Sequence, residues 1–150
     1  MALDWFKSYF KNRTQYVDYN GFQSSKLDIK CGVPQGSILG PILFLIYIND
    51  IATVSELLHL ILFADDTNIF MQNKNLLTLV TVVNAELQKL SNWFISNLLS
   101  INVKKTNFIV FCNANKNYEP ASVNIILNSC RIEQVQHAKC LGVYIDERLN

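Results

Sequence analysis

From Leu76 to Leu98, apolar residues recur at intervals of three and four: Leu76, Val80, Val83, Leu87, Leu90, Phe94 and Leu98. That spacing puts them on one face of an α-helix and predicts an amphipathic helix from about Asn75 to Asn97, with its Glu, Gln and Lys residues on the outer face. A helix of this length must lay its apolar stripe on something, and short strand-like runs lie on both sides of it in the sequence. Leu57–Leu62 and Asn68–Met71 precede it, and Asn107–Cys112 follows as a predicted buried strand. Val123–Leu127 and Cys130–Val135, joined at Asn128-Ser129, predict a further hairpin, and Lys139–Ile145 predicts a last strand. Segments of this kind in this order predict an α+β fold in which an antiparallel sheet packs on helices.

The two apolar runs before the long helix enclose Phe63-Ala64-Asp65-Asp66. Both runs read as short strands, so the acidic pair falls at or beside a hairpin turn. Adjacent carboxylates repel unless a cation sits on them, and a hard divalent ion bound by carboxylate oxygens relieves that repulsion. An acidic pair on a rigid turn therefore points to a metal site for phosphoryl chemistry. Asp-Asp is also ordinary turn chemistry, because Asp tolerates tight backbone geometry. A second motif lies upstream, at Pro34-Gln35-Gly36-Ser37 followed by Gly40-Pro41. Gly36 permits close approach to its backbone, Gln35 offers both donor and acceptor groups, and a helix N-terminus behind the loop offers N–H groups to a phosphate. Read alone, the segment is more simply a Pro/Gly turn entering a buried helix.

Ser37 is placed to cap a helix running to about Asp50, with Pro41 in or just past its first turn. This stretch carries no charge from Cys31 to Asn49, and Ile38–Ile48 is almost wholly apolar. The apolar part is too short for a bilayer core of ~30 Å, so a central, buried helix is expected rather than a membrane span. Nearer the start, Leu3, Phe6 and Phe10 predict a short amphipathic helix. Thr14–Tyr19 reads as a strand that turns back at Asn20-Gly21.

Composition narrows the partners. The 150 residues are half hydrophobic, enough for a core and against disorder, and a net charge of +1 gives no whole-chain attraction to nucleic acid. Cys31, Cys112, Cys130 and Cys140 form no C-x-x-C pair, and no signal peptide is visible at Met1–Phe10, so reduced thiols inside the cell are expected. A zinc site from Cys112, Cys130, His137 and Cys140 fits no compact zinc module.

Gly32–Phe44 (Gly-Val-Pro-Gln-Gly-Ser-Ile-Leu-Gly-Pro-Ile-Leu-Phe) and then Phe63–Asp66 strongly resemble the reverse transcriptases of non-LTR, LINE-like retrotransposons, the jockey-like group in particular. The resemblance extends over essentially the whole chain. It includes Trp5–Tyr9 with Asn12–Gln15, Leu90–Phe94, Asn102–Thr106 and Leu141–Asp146, and so many segments in order are highly specific.

The resemblance implies a right-hand polymerase palm and RNA-directed DNA polymerase activity, with an RNA template, a DNA primer and dNTPs as partners and two Mg²⁺ ions as cofactors, Mn²⁺ being a substitute. It implies that Asp65 and Asp66 are catalytic metal ligands, that Pro34, Gln35, Gly36 and Ser37 line the nucleotide pocket, and that Phe63, Ala64, Leu141 and Gly142 contact the primer. Lys105 matches the proton donor to pyrophosphate. No membrane and no obligate protein partner are implied, and nucleus and cytoplasm are the expected compartments.

The family also uses a third carboxylate, from a strand earlier than Met1. Asp4, Asp18, Asp28 and Asp50 read as surface charges and do not replace it. Residues 1–150 are therefore expected to be one partial reverse transcriptase domain, central and late palm with the start of the thumb connection, inactive in isolation. The alternatives are a non-catalytic nucleic-acid-binding remnant and, further off, a structural or membrane-associated protein built on Ile38–Ile48.

Overall fold

The structure, a computed structural model, describes residues 1–112 and 123–148; Asn113–Pro120, which the sequence marks as a polar, turn-rich connection, lies outside the described residues. The chain divides into two compact units, Met1–Ile48 and Asn49–Asn150.

The first unit begins with helix α1, Ala2–Phe10, whose aromatic side chains form a stack: Trp5 lies on Tyr9 with ring centroids 5.4 Å apart, and Tyr9 meets the edge of Phe10. Strands β1 (Thr14–Gln15), β2 (Asp18–Tyr19), β3 (Phe22–Gln23) and β4 (Leu27–Asp28) form the expected hairpin. β2 pairs with β3 and β1 with β4, both antiparallel, and Val17 and Ser24 join the two ladders through their backbones. Asn20 and Gly21 both have positive φ, as a type I′ turn requires. Helix α2, Gly40–Ile48, starts two residues later than a Ser37 cap predicts and carries Pro41 as its second residue, within the first turn as expected, where a missing N–H breaks no helical bond.

The second unit opens with a 3-10 turn, Asn49–Thr53, so the regular helix expected to reach Asp50 ends at Ile48. Strands β5 (His59–Phe63) and β6 (Asp66–Phe70) pair antiparallel in full register from His59↔Phe70 to Phe63↔Asp66. Helix α3, Leu76–Ser96, matches the periodicity almost to the residue. Asn75 caps it by accepting from the Thr78 N–H at 3.0 Å. At the other end, Leu98 takes φ +54°, with the Leu99 N–H on the Phe94 carbonyl and the Leu98 N–H on that of Ile95, a Schellman closure built on a non-glycine residue.

After a second 3-10 turn, Val103–Lys105, come β7 (Asn107–Phe108), β8 (Ile126–Leu127), β9 (Cys130–Arg131), β10 (Glu133–Gln134), β11 (His137–Cys140) and β12 (Val143–Asp146). The Asn128-Ser129 turn joins β8 to β9 as expected.

The core lies in this second unit. Ile51, Leu58, Leu87, Leu90, Val123, Ile125, Leu127 and Ile132 are buried, and the alternation Val123, Ile125, Leu127 presents one strand face to α3. Asn84 fastens the strand to the helix. Its amide donates to the Asn124 carbonyl at 2.9 Å, and its side-chain oxygen accepts from the Ile126 N–H at 2.8 Å, so a side chain occupies the bonding position of a neighbouring strand. Ser91, also buried, bonds the Asn128 side chain.

Helices and small, mostly antiparallel sheets agree with an α+β class, but several expectations are corrected. Among the described residues the sheet is six two-stranded pieces, because most ladders last only two residues before a turn redirects the chain; one of them, β7 with β10, is parallel. The strand predicted at Asn107–Cys112 is regular only over Asn107–Phe108 and is not buried, since only Glu133–Gln134 pairs with it. Lys139–Ile145 is part of a hairpin rather than one strand, because Leu141 and Gly142 both take positive φ and reverse the chain.

α2 is not a central buried helix. Only Gly40 and Ile48 are buried along it, and Ile46 is 68% exposed, because an apolar surface on every side needs neighbours on every side. The outer-face assignment of charges on α3 also fails at Glu86, which is 5% exposed at its side chain and bonded at 2.7 Å to Lys89. No helix among the described residues is long and apolar enough to cross a membrane.

Candidate polymerase site

The acidic pair sits where the apolar flanks predict. Ala64 and Asp65 are the two loop residues of the β5–β6 hairpin, and Asp66 is the first residue of β6, closing the ladder opposite Phe63. Ala64 has φ +52° while Asp65 does not share the positive sign, the φ signs of a type II′ turn. Glycine is the usual residue there, so Ala64 holds a conformation that its Cβ disfavours, and the five-pair ladder beneath it maintains that conformation. Both carboxylates are exposed, and neither forms an ion pair with a described residue. Two carboxylates on adjacent residues carry four oxygens between them. That donor set suits a hard cation completed by water and phosphate oxygens. No third His, Cys, Asp or Glu gathers with them among the described residues.

The Pro34–Ser37 segment is a β-turn, closed by the Ser37 N–H on the Pro34 carbonyl at 3.3 Å, with Gly36 at φ +77° as a type II turn requires. A Cβ on Gly36 would meet nothing within 4 Å, so Gln35 and Gly36 face open space, and both are exposed. Gly40 is the opposite case: its Cβ would lie 3.2 Å from Ser37 Oγ and 3.4 Å from the Pro34 carbonyl, so the helix begins tightly against the loop.

The helix N-terminus does not stand open for a phosphate as expected. The Gly40 N–H is taken by Ser37 Oγ at 3.1 Å, and Pro41 has no N–H to offer. Ser37 Oγ also donates to the Pro34 carbonyl and accepts from Tyr9 Oη, each at 2.8 Å. At the other end of the loop, Arg13 Nη2 donates to the Gly32 carbonyl at 2.8 Å. Sequence reasoning missed Tyr9 and Arg13 as partners of this loop. They lie 28 and 19 residues from the atoms they bond, and no local pattern links such positions.

The remaining candidates lie on separate elements of the second unit. Lys105 ends the Val103–Lys105 turn, exposed and without an ion pair among the described residues. Leu141 and Gly142, at φ +51° and +88°, form the exposed two-residue loop of the β11–β12 hairpin. No hydrogen bond or ion pair among the described residues ties Lys105 to Asp65 or Asp66. A shallow depression of about 460 Å³ on α1, lined by Asp4, Lys7, Ser8, Lys11 and Asn12, contains none of the candidate residues.

The profile of the family described as "Reverse transcriptase (RNA-dependent DNA polymerase)" matches residues 1–145. The chain belongs to the reverse transcriptase family. It is 31% identical over 150 residues to the RNA-directed DNA polymerase from mobile element jockey of Drosophila melanogaster, covering 95% of this chain and 16% of that protein. It is 28% identical over 147 residues to the probable RNA-directed DNA polymerase from transposon X-element, and 29% identical over 151 residues to that from transposon BS, both of Drosophila melanogaster and with the same coverage. The chain thus spans about a sixth of the length of these relatives, and it falls within the reverse transcriptase domain of the jockey-like, non-LTR group. No solved structure matches it.

Proposed function

We propose that these residues are the central and late palm, with the start of the thumb connection, of an RNA-directed DNA polymerase of a non-LTR retrotransposon. The observation that carries the reading is the exposed, unpaired Asp65–Asp66 pair on a two-residue hairpin loop in a chain of this family. The carboxylates of Asp65 and Asp66 would hold divalent cations, two in the complete enzyme, Mg²⁺ with Mn²⁺ as a substitute. When bound, these ions supply the charge neutralisation that in-line attack of a primer 3′-hydroxyl on the α-phosphate of a dNTP requires. The protein's part is to hold the anionic oxygens still. The strained Ala64 fixes the direction of Asp65, and the Phe63↔Asp66 pair fixes Asp66 to the ladder.

Gln35 and Gly36 line the nucleotide pocket, on the loop formed with Pro34 and Ser37. The exposed side chain of Gln35 supplies hydrogen bonds, and the open face of Gly36 gives room for a base pair. Phe63 and Ala64 lie beneath the primer end, Leu141 and Gly142 grip it, and the Lys105 ammonium gives a proton to the departing pyrophosphate. Template and primer contacts of such a surface fall on backbone and shape rather than on base sequence.

The whole activity belongs to a polypeptide that brings a third carboxylate to Asp65 and Asp66, since none of the described residues does. Primer extension on an RNA template tests the proposal. The full-length element protein containing this chain should incorporate dNTPs and lose at least about a thousandfold with Asp65→Asn, as expected when a metal-held transition-state charge is no longer stabilised. The 150-residue chain alone should incorporate none. Full activity after Asp65→Asn, or no activity of the parent with its acidic residues intact, favours a non-catalytic nucleic-acid-binding role.

A further inference from the structure

We propose that Tyr9 and Arg13 are positioning residues that clamp the Gly32–Ser37 loop at its two ends and so set how Gln35 and Gly36 are presented. The inference rests on the nucleotide-pocket reading for its purpose, but the clamp itself is a matter of geometry.

The loop is bounded by two residues with positive φ, Gly32 at +82° and Gly36 at +77°. Glycine is the most permissive residue at such positions, so without outside contacts the segment between them would sample many shapes. Each end has an outside contact. At the far end, Ser37 Oγ is fully used: its one hydrogen goes to the Pro34 carbonyl, and its two lone pairs receive the Gly40 N–H and the Tyr9 hydroxyl. Ser37 therefore has no hydrogen-bonding capacity left for a nucleotide and serves as the hub that joins turn, helix and α1. Tyr9 is stacked on Trp5 and edge-on to Phe10, so its hydroxyl is delivered from an aromatic row along α1.

At the near end, the Arg13 guanidinium lies 5.9 Å from the Phe10 ring centre and bonds the Gly32 carbonyl. The Arg13 backbone is anchored in turn, its carbonyl accepting from the Ile29 N–H at 2.8 Å. Arg13 Nε and Nη1 are buried without hydrogen-bond partners among the described residues, which costs stability, so packing alone does not account for an arginine at this position. Between the two clamps, Gln35 and Gly36 remain exposed.

The test uses the full 150-residue chain, with amide hydrogen exchange at Ser37 and Gly40 and with binding of an N-methylanthraniloyl-dATP probe in Mg²⁺. Tyr9→Phe keeps the ring contacts and removes one hydroxyl, and Arg13→Lys keeps the charge and removes the planar fork. Each should speed exchange at Ser37 and Gly40 about three- to tenfold, the range for losing one hydrogen bond, while the Ser24 amide, held on the Val17 carbonyl, keeps its protection and reports an intact first unit. Tyr9→Phe added to Ser37→Ala should cause no further loosening. Probe affinity should fall by a similar factor.

Unchanged loop exchange in both variants overturns the inference, whatever the probe does. A loosened loop with undiminished probe binding overturns the positioning role. A loosened loop in a protein whose wild type binds no probe supports the clamp and counts against the nucleotide-pocket reading instead.

Discussion

The two helices α2 and α3 differ in a way that composition alone conceals. Both are rich in large apolar residues, yet α3 is buried along one face and α2 is exposed along most of its length. α3 has an apolar stripe with a direction, and its own unit supplies a strand to face it: the alternating Val123, Ile125 and Leu127, whose backbone Asn84 of α3 bonds on either side of Ile125. α2 is apolar all round, so its sequence names no single partner surface, and most of its side chains find none among the described residues. The comparison teaches that directional patterning, rather than hydrophobicity, decides which helix organises a core.

Four substitutions break or sharpen that contrast. Leu90→Ala should cost about 2–5 kcal/mol in urea unfolding, whereas Ile46→Ala should change stability by less than about 0.5 kcal/mol; equal costs would erase the distinction. Asn84→Ala leaves the Asn124 carbonyl and the Ile126 N–H without their partner and should cost about 1–3 kcal/mol, measured in the same way. At the C-terminal end of α3, Leu98→Gly relieves a side chain held at φ +54° and should raise the unfolding midpoint, by about 0.5–1 kcal/mol, unlike glycine inside the helix.

A fifth substitution, Glu86→Gln, concerns pH. The Lys89 hydrogen bond, with the Ser55 hydroxyl and the Lys89 charge acting in the same sense and burial opposing them, holds the Glu86 carboxyl below its ordinary value. A depressed folded-state pKa stabilises at neutral pH, and that contribution is lost as pH falls through the folded value. Wild type should therefore lose stability on acidification more steeply than Glu86→Gln. Parallel urea midpoints for the two from pH 7 to pH 3 would contradict this.

Legibility in the sequence followed the same physics. Periodicity found α3, and turn chemistry found Asn20-Gly21, Asn128-Ser129 and the placement of Asp65-Asp66, because each of these signals is local. The burial of Glu86 was not legible, since one of its partners, Ser55, lies 31 positions away in sequence, in the loop before β5. The short extent of β7 and the exposure of α2 were missed for a related reason: β-propensity and hydrophobicity describe what a segment could pair with or bury against, and only the rest of the chain decides whether it does. At the candidate site, the residue types were legible at Gln35, Gly36, Asp65 and Asp66, while the bonds from Tyr9 and Arg13 that shape the loop were not.

The account depends above all on Asp65 and Asp66 gathering divalent cations. Paramagnetic broadening by Mn²⁺ of the backbone amides of the 150-residue chain measures this directly. Saturable broadening centred on Ala64, Asp65 and Asp66, reversed by excess Mg²⁺ and abolished by Asp65→Asn with Asp66→Asn, is the predicted result. Broadening that ignores this turn, or that survives the double substitution unchanged, would contradict it.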